Sequence, residues 1–152
     1  TGILSGFKPA EDITLDELLE LEVDILLPAA AAGQINSKNV HLVKTKILAE
    51  GANAPTTPAA DEVLNEKGVF IIPDILANAG GVIASYFEWV QDLQGFFWEE
   101  DEIKRRLKGI ISRAFYDVLS ISEKNKLDTR TAAYVLGVGR VAMACKVRGL
   151  YP

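Results

Sequence analysis

Three short apolar runs, each followed by a proline or by small residues, constrain the fold of this chain more than any other feature. They cover residues 23–27, 46–50 and 69–72, and their length and aliphatic composition are typical of buried β-strands. Thr57 and Pro58 have the residue types of an N-cap and a first helical position, which predicts a helix between the second and third runs. We interpret the part of the chain before residue 75 as apolar runs that alternate with helical segments. This β-α-β-α-β order, with one helix between each pair of successive strands, predicts an α/β fold with a parallel sheet covered by helices.

After the third run the sequence pattern is helical. Acidic residues at 99–102 precede an apolar stripe over 103–121, which predicts a long helix whose N-terminal dipole favours the negative charges. Asp128 is the predicted N-cap of a last long helix that ends just before Gly149. An earlier helix carries its own stripe of apolar residues, namely Val82, Tyr86, Trp89, Val90 and Leu93.

Composition and charge exclude several classes of protein. At 152 residues, with 49% hydrophobic and 24% charged side chains, the chain can bury the core of one domain. A net charge of −5 and the lack of a basic cluster argue against a nucleic-acid partner. No apolar run reaches the length of about 18 residues that a membrane-spanning helix needs, so we expect no membrane partner.

Cysteine and histidine content bears on metal binding and on compartment. Cys145 is the only cysteine, which excludes an internal disulfide and favours a reducing, cytoplasmic location. One cysteine and one histidine, His41, cannot form a zinc site of the usual ligand types, and we expect no metal. The chain starts at Thr1 without an initiator methionine, so we expect it to be a fragment or a trimmed form of a longer protein.

Residues 137–142 match GxGxxA, a pattern found in dinucleotide-binding turns. A working turn of this kind needs a following helix, a second strand and an acidic residue about 20 positions later. Only ten residues follow Ala142, and none of them is acidic. The segment also keeps helical apolar spacing, so we interpret Gly137 and Gly139 as small residues of a helix that packs closely on another helix.

Each predicted strand leads into a segment of small residues. Residues 28–33 follow the first strand, 51–57 follow the second, and 78–81 lie a few positions after the third. Because the carboxyl ends of parallel strands meet at one edge of a sheet, ligands bind there, and small side chains admit a flat ligand. Asn53 and Asn78 can each donate and accept hydrogen bonds, and we expect them to border a ligand site, although Asn also serves turns.

The glycine pair at 80–81 raises a separate question about the helix predicted over residues 78–92. In such a helix Asn78 and Ser85 lie nearly two turns apart on one face, with Gly81 between them. The missing side chain leaves a hollow bordered by polar groups, which is suited to the edge of a ligand. A close contact between two helices also favours glycine and serine, and the spacing alone does not separate the two interpretations.

Four stretches of the sequence resemble one enzyme family. They are DILLPAA (24–30), AEGANAPTTPAAD (49–61), IIPDILANAGGVIASYFEWVQ (71–91) and DTRTAAYVLGVGRVAMA (128–144). Together they resemble the glutamate dehydrogenases, within the family that also includes the leucine, valine and phenylalanine dehydrogenases. The continuation SYFEW is similar to the glutamate branch, and the resemblance runs in order along essentially the whole chain.

The resemblance implies a reaction, the reversible oxidative deamination of L-glutamate to 2-oxoglutarate and ammonia with NAD or NADP. It implies a partial Rossmann-like sheet in residues 1–77, the later portion of a nucleotide-binding domain. It also implies C-terminal helices in residues 78–152, the first of which contributes to the cofactor and substrate cleft, and a homo-hexamer for the complete enzyme. The determinant of NAD or NADP preference lies upstream of this chain, so the preference stays open.

The resemblance also implies roles for individual residues. Ala29 and Ala30 approach the nucleotide, Asn53 contacts the nicotinamide ribose region, and Asn78 contacts the nicotinamide end. A serine hydroxyl on the substrate side can donate to the γ-carboxylate of glutamate. The residues that face the substrate side chain are Val82 and Ser85.

The catalytic lysine and aspartate of the family belong to a substrate domain that the resembling segments do not include, so we assign no catalytic residue to this chain. We expect the fragment alone to be inactive and to supply one wall of the cleft. Ala54 departs from the pattern, since many members of the family have glycine there. Two alternatives without catalysis stay open, a stand-alone nucleotide-binding module and a helical assembly module. Titration with NAD and NADP separates them, because the assembly module binds neither.

Overall fold

The computed structural model describes residue 6 and residues 9–149. These residues form one three-stranded sheet and a set of helices, with a turn of 3₁₀ helix at Val40–Leu42. In chain order the elements are α1 (Leu15–Glu20), β1 (Ile25–Leu26), β2 (Ile47–Ala49), α2 (Pro58–Glu66), β3 (Phe70–Ile72), α3 (Asp74–Ala77), α4 (Gly80–Gln94), α5 (Glu100–Asn125) and α6 (Thr129–Arg148).

The sheet is parallel with strand order β1-β2-β3, as the sequence predicted. In its register Leu26 pairs with Leu48, and Leu48 pairs with Ile71. The paired strands are shorter than the predicted apolar runs. Single backbone hydrogen bonds continue the pairing beyond the ends of the strands. One of these joins Glu50 N–H to Ile72 O at 3.0 Å. The α/β class with long C-terminal helices is confirmed.

The two crossovers between strands differ from each other. Helix α2 connects β2 to β3, but the segment between β1 and β2 holds only the 3₁₀ turn, so the predicted β-α-β-α-β order is wrong at its first helix. Two asparagines explain the difference. Asn36 Nδ2 donates to Gly33 O at 3.0 Å and Asn39 Nδ2 donates to Gln34 O at 2.7 Å, and such local side-chain bonds compete with helix formation.

Two apolar clusters form the core of the described part of the chain. The larger one packs between the sheet and α2, where Leu48, Leu64 and Ile71 are almost completely buried. Burial of one such side chain contributes about 1.5–3 kcal/mol relative to its exposure. The smaller cluster joins α3, α5 and α6, and its buried members are Leu76, Val118, Ala132 and Ala133.

The helix caps follow the sequence prediction with one exception. Asp128 Oδ1 accepts a hydrogen bond from Thr131 N–H at 2.8 Å, as expected for the N-cap of α6. Burial raises the pKa of Asp128, but hydrogen bonds from Thr131 and from the backbone of Asp128 and Arg130 together outweigh burial and leave the pKa below its usual value. This stabilisation is therefore complete at neutral pH and is lost as the pH falls through the depressed pKa. Thr57 occupies the N-cap position of α2, but its side chain makes no capping hydrogen bond.

Residues 137–142 lie inside α6, which confirms the helical interpretation of the GxGxxA match. The expected close contact with another helix is wrong. A Cβ placed on Gly137 or on Gly139 meets no heavy atom within 4 Å in the described part of the chain. Both glycines are exposed. The prediction failed because helical spacing identifies a face of a helix but not what covers it.

Helix α4 buries a different side from the apolar stripe predicted for it. Phe87 and Gln91 are its buried residues. The Phe87 ring packs edge-on against Trp98 with centroids 5.4 Å apart, and Gln91 Oε1 accepts from Trp98 N–H at 2.6 Å. The residues of the predicted stripe that lie exposed are Val82, Tyr86, Trp89 and Leu93.

Within the described residues, no helix is long and apolar enough to cross a membrane.

Candidate functional site

The strands end at one edge of the sheet, where the turns after β1 and β2 approach each other closely. The turn after β1 covers residues 28–32, and Pro28 O accepts a hydrogen bond from Ala52 N–H at 2.9 Å. A Cβ placed on Gly51 would lie 3.0 Å from Ala29 Cβ, which is closer than two carbon atoms pack without displacement. Glycine at this position therefore sets the spacing of the two turns.

Asn53 and Asn78 meet at this edge. Asn78 Nδ2 donates to Asn53 Oδ1 at 2.6 Å, although the two residues are 25 positions apart in the chain. Asn53 is exposed and Asn78 is partly buried. The remaining polar groups, Asn53 Nδ2 and Asn78 Oδ1, have no protein partner among the described residues. One donor and one acceptor are thus available side by side, as a carboxamide or a sugar hydroxyl requires.

The asparagine pair borders an open cavity of about 600 Å³. Its volume lies within the range of roughly 300–1,000 Å³ that small-molecule sites occupy. Its lining includes predicted site residues from the segments after all three strands and from α4. We call it the turn cavity, and its lining residues are Ala29, Ala30, Ala31, Ala32, Gly51, Ala52, Asn53, Asn78 and Val82.

Ser85 is the one predicted site residue that does not line the turn cavity. It lies exposed on α4, one turn beyond Val82. The predicted helix over 78–92 is wrong at its start, because α4 begins at Gly80 and Asn78 instead ends the short helix α3. Asn78 and Ser85 therefore do not share the face of one helix. A Cβ placed on Gly81 meets no described heavy atom within 4 Å, so no described helix packs against Gly81.

A cluster of charged residues that sequence reasoning missed lies beside the same turns. Arg130 Nη2 is 2.8 Å from Glu50 Oε1 and 2.8 Å from Asp61 Oδ1, and Arg130 Nη1 is 3.3 Å from Asp74 Oδ1. Burial by itself lowers the pKa of Arg130, but hydrogen bonds to Asp61 and Glu50 and their charges raise it above the usual value. The guanidinium is therefore held in its charged form, in which it pairs with the three nearby carboxylates.

The carboxylate cluster, defined as Glu50, Asp61, Asp74 and Arg130, contacts the asparagine-bearing turn. Glu50 is completely buried, and its Oε2 accepts from Asp74 N–H at 2.9 Å. Asp74 Oδ2 accepts from Ala54 N–H at 2.8 Å. One sequence signal points to the cluster, since Arg130 lies in the first turn of α6, where the helix dipole disfavours a positive charge.

The turn cavity is suited to binding and not to proton transfer. Its lining offers methyl groups, backbone and two amide side chains, and none of the lining residues is ionisable. Within the described part of the chain, no group of three or more histidine, cysteine or acidic side chains is arranged to hold a metal ion. The acids of the carboxylate cluster converge on Arg130 instead.

The chain is similar in sequence to glutamate dehydrogenases over nearly its whole length. The profile of the Glutamate/Leucine/Phenylalanine/Valine dehydrogenase family matches residues 1–149. A glutamate dehydrogenase of Thermotoga maritima is 54% identical over 151 residues, which cover 99% of this chain and 36% of that relative. An NAD-specific glutamate dehydrogenase of Staphylococcus aureus is 47% identical over 139 residues, which cover 91% of this chain and 34% of the relative.

The fold is similar to that of solved members of the same group. The hetero-hexameric glutamate dehydrogenase of Thermus thermophilus, in its leucine-bound form, superimposes with a TM-score of 0.88 at 35% identity. The superposition covers 95% of this chain and 35% of that protein, so the chain spans about a third of the length of the relatives it matches. Because the family profile matches nearly every residue, the chain belongs to the glutamate/leucine/phenylalanine/valine dehydrogenase family.

Proposed function

We propose that the turn cavity binds the nicotinamide end of NAD or NADP, in an enzyme that deaminates L-glutamate oxidatively and reversibly to 2-oxoglutarate and ammonia. The observation that carries the proposal is the 2.6 Å hydrogen bond between Asn78 Nδ2 and Asn53 Oδ1 at the carboxyl edge of a parallel sheet. Such an edge is where nucleotides bind in α/β folds. The family membership of the chain supports a nicotinamide cofactor.

The residue types in the lining fit a dinucleotide. Ala29 and Ala30 leave the first turn narrow, so the ligand can approach the backbone closely. Asn53 Nδ2 is free to donate to a ribose oxygen, and Asn78 Oδ1 is free to accept from a carboxamide or a ribose hydroxyl. The bond between the two amides holds each of them in one orientation, which reduces the entropy lost when a ligand binds.

On the substrate side we propose that Val82 and Ser85 face the amino-acid side chain. Val82 is exposed at the border of the turn cavity, and Ser85 follows it one turn along α4 with an exposed hydroxyl. A substrate next to the nicotinamide would then lie along α4. The hydroxyl can donate to the γ-carboxylate of glutamate, which an aliphatic side chain of similar length cannot use.

In the complete enzyme, Ser85→Ala should lower kcat/KM for glutamate by about tenfold to a hundredfold, because the γ-carboxylate loses a hydrogen-bond donor. Norvaline has a side chain of similar length without a carboxylate, so its kcat/KM should fall by less than about threefold. Steady-state kinetics with both substrates measures the difference. Equal losses for the two amino acids would remove the proposed role of Ser85.

The turn cavity supplies binding groups but no acid or base, so the proton transfers of oxidative deamination need groups that it does not contain. Catalysis also requires that cofactor and substrate be held together in a closed cleft. We therefore propose that residues 1–77 and 78–152 form one wall of this cleft and that the chain by itself does not oxidise glutamate. Formation of NADH or NADPH from glutamate by the purified chain would contradict this.

Asn53→Ala tests cofactor binding in the chain itself. Removing this amide deletes the donor offered to the ligand and releases the Asn78 side chain, so the dissociation constant for NADH should rise by about tenfold. Fluorescence titration with NADH and with NADPH measures it and also reports which of the two binds better. The matched control is Asn125→Ala at the end of α5, where the amide donates to Ile121 O and to no other described residue.

Asn53→Ala should bind NADH more weakly than Asn125→Ala does. Asn125→Ala should bind NADH as the unaltered chain does, and urea denaturation corrects both variants for changes in folding. If Asn53→Ala and Asn125→Ala bind NADH equally well, the turn cavity is not the cofactor site.

A helical assembly function has one observation in its favour. An open apolar groove of about 710 Å³ lies between α5 and α6 and includes Ile121, Leu136 and Met143. Several aliphatic residues of α6 near it, among them Val138 and Val147, are exposed. Assembly into a hexamer, which we propose for the complete enzyme, is compatible with cofactor binding. A chain that self-associates and binds neither NADH nor NADPH would favour assembly as its main function.

A further inference from the structure

We propose that Asp74 is a positioning residue that sets the separation of Asn53 and Asn78 and thereby tunes the dinucleotide affinity of the turn cavity. The inference rests on the proposed function for its effect on affinity. Its structural part, that Asp74 holds the asparagine pair together, stands on contacts within the chain and can be tested without any ligand.

Asp74 is bonded to both of the turns that carry the asparagines. Its carboxylate Oδ2 accepts from Ala54 N–H at 2.8 Å, directly next to Asn53. Its backbone carbonyl accepts from Asn78 N–H at 3.0 Å, at the end of α3. One residue therefore fixes the backbone on each side of the hydrogen bond between the two amides.

The carboxylate of Asp74 is itself held in place from the other side. Asp74 N–H donates to Glu50 Oε2 at 2.9 Å, and Arg130 Nη1 lies 3.3 Å from Asp74 Oδ1. Arg130 Nη2 in turn donates to Glu50 Oε1 at 2.8 Å. Because Glu50 is completely buried, it has little freedom to follow a movement of the turn. The orientation of Asp74 is thus determined by groups that do not line the turn cavity.

The backbone at Ala54 explains why this support is needed. Ala54 has a φ of 46°, in the left-handed region that L-residues other than glycine adopt at an energetic cost. Asp74 offsets part of this cost by accepting the Ala54 N–H. Without that bond the turn can relax toward an ordinary conformation, and Asn53 moves with it, away from Asn78.

The test compares Asp74→Ala with Asp61→Asn in the 152-residue chain. Both changes remove a carboxylate from Arg130. The Asp61 side chain, unlike that of Asp74, bonds to Arg130 and Asn65 and to no group of the asparagine-bearing turns, and the backbone bond from Asp61 N–H to Thr57 O is kept in Asp61→Asn. Asp74→Ala should weaken NADH binding about tenfold, whereas Asp61→Asn should leave it within about twofold of the unaltered chain. Urea denaturation, run in parallel, shows how much stability each variant loses.

A double variant separates positioning from a general loss of structure. If Asp74 acts through Asn53, adding Asp74→Ala to Asn53→Ala should change NADH affinity by less than about twofold, while both changes still lower stability. An additive tenfold loss would contradict positioning through Asn53. Asp74→Asn keeps one carbonyl oxygen and the size of the side chain, so it should weaken binding by only about threefold and serves if Asp74→Ala does not fold.

A measurement without ligand keeps the proposal testable if the chain binds no dinucleotide. In ¹⁵N-labelled chain the side-chain amide signals of Asn78 should be those of a hydrogen-bonded group. They should move to free-amide positions in Asp74→Ala, move part of the way in Asp74→Asn, whose remaining carbonyl oxygen still accepts a hydrogen bond, and stay unchanged in Asp61→Asn. If these changes in the Asn78 signals occur but the chain does not bind NADH, the proposed cofactor site is wrong and the positioning role of Asp74 still holds. Unmoved Asn78 signals in the folded Asp74 variants would overturn the positioning role itself.

Discussion

Arg130→Ala should lower the free energy of unfolding by about 3–5 kcal/mol, the largest effect expected of any single substitution in this chain. The side chain of Arg130 pairs with Glu50, Asp61 and Asp74, which lie just after β2, in α2 and in α3. Glu50 has no exposed surface, so without Arg130 its charge stays buried with no cationic partner. Urea denaturation followed by circular dichroism measures the loss.

The control for this prediction is Arg140→Ala, further along α6. Arg140 pairs with Asp117 at 2.7 Å, but both side chains are about half exposed or more. Exposed pairs contribute only about 0–1 kcal/mol, so the control should remain close to the unaltered chain. Adding Glu50→Gln to Arg130→Ala should recover part of the lost stability, because it removes the buried charge. Equal stabilities for the two arginine variants would mean that the carboxylate cluster does not anchor the fold.

Gly51→Val should reduce stability by about 1–3 kcal/mol through overpacking and should also abolish measurable NADH binding. Even a Cβ at this position lies 3.0 Å from Ala29 Cβ and 3.4 Å from Ala29 Cα, and valine adds two further methyl groups. The turns after β1 and β2 must then separate, which breaks the bond from Ala52 N–H to Pro28 O. Both turns line the turn cavity, so its shape changes with them.

Gly109→Val is the matched control for the Gly51 substitution. Gly109 lies exposed on α5, and a Cβ there meets no described heavy atom within 4 Å. Valine is a better helix former than glycine, so stability should not fall. NADH titration and urea denaturation of both variants test the prediction. Unchanged NADH affinity in Gly51→Val would show that the spacing of these turns does not matter for the cofactor.

The meeting of Asn53 and Asn78 could be predicted from the sequence because it depends on topology alone. Parallel strands bring their carboxyl ends to one edge, and the register of β2 with β3 places the two following turns side by side. The apolar runs, Pro73 after the third run and the cap at Asp128 are local signals that identify the elements. Local signals and parallel topology together were sufficient for the sheet and for most of the turn cavity.

The carboxylate cluster could not be predicted in the same way. Arg130 is 80 positions from Glu50, 69 from Asp61 and 56 from Asp74, and no local pattern relates residues so far apart. Their contact depends on how α6 packs against β3 and α3, which is decided by the apolar cluster around Leu76.

Periodicity also failed where the covering partner had to be known. The spacing of Val82, Tyr86 and Trp89 marks one side of α4, but Phe87 and Gln91 are the residues that pack against the chain. A hydrophobic stripe indicates that one surface of a helix is apolar, but it does not indicate which neighbour covers that surface. The sequence also placed the start of α4 too early, because Asn78 is the C-cap of α3 and α4 begins at Gly80.

The central claim, that the asparagine pair at the sheet edge binds the nicotinamide end of the cofactor, can be tested most directly by NMR. The side-chain amide signals of Asn53 and Asn78 are followed in ¹⁵N-labelled chain as NADH is added, with Asn65 and Asn125 as internal references on α2 and α5. We predict saturable shifts for the first two asparagines and none for the other two. NADH-dependent shifts confined to the groove between α5 and α6, or no shift at Asn53 and Asn78, would contradict the claim.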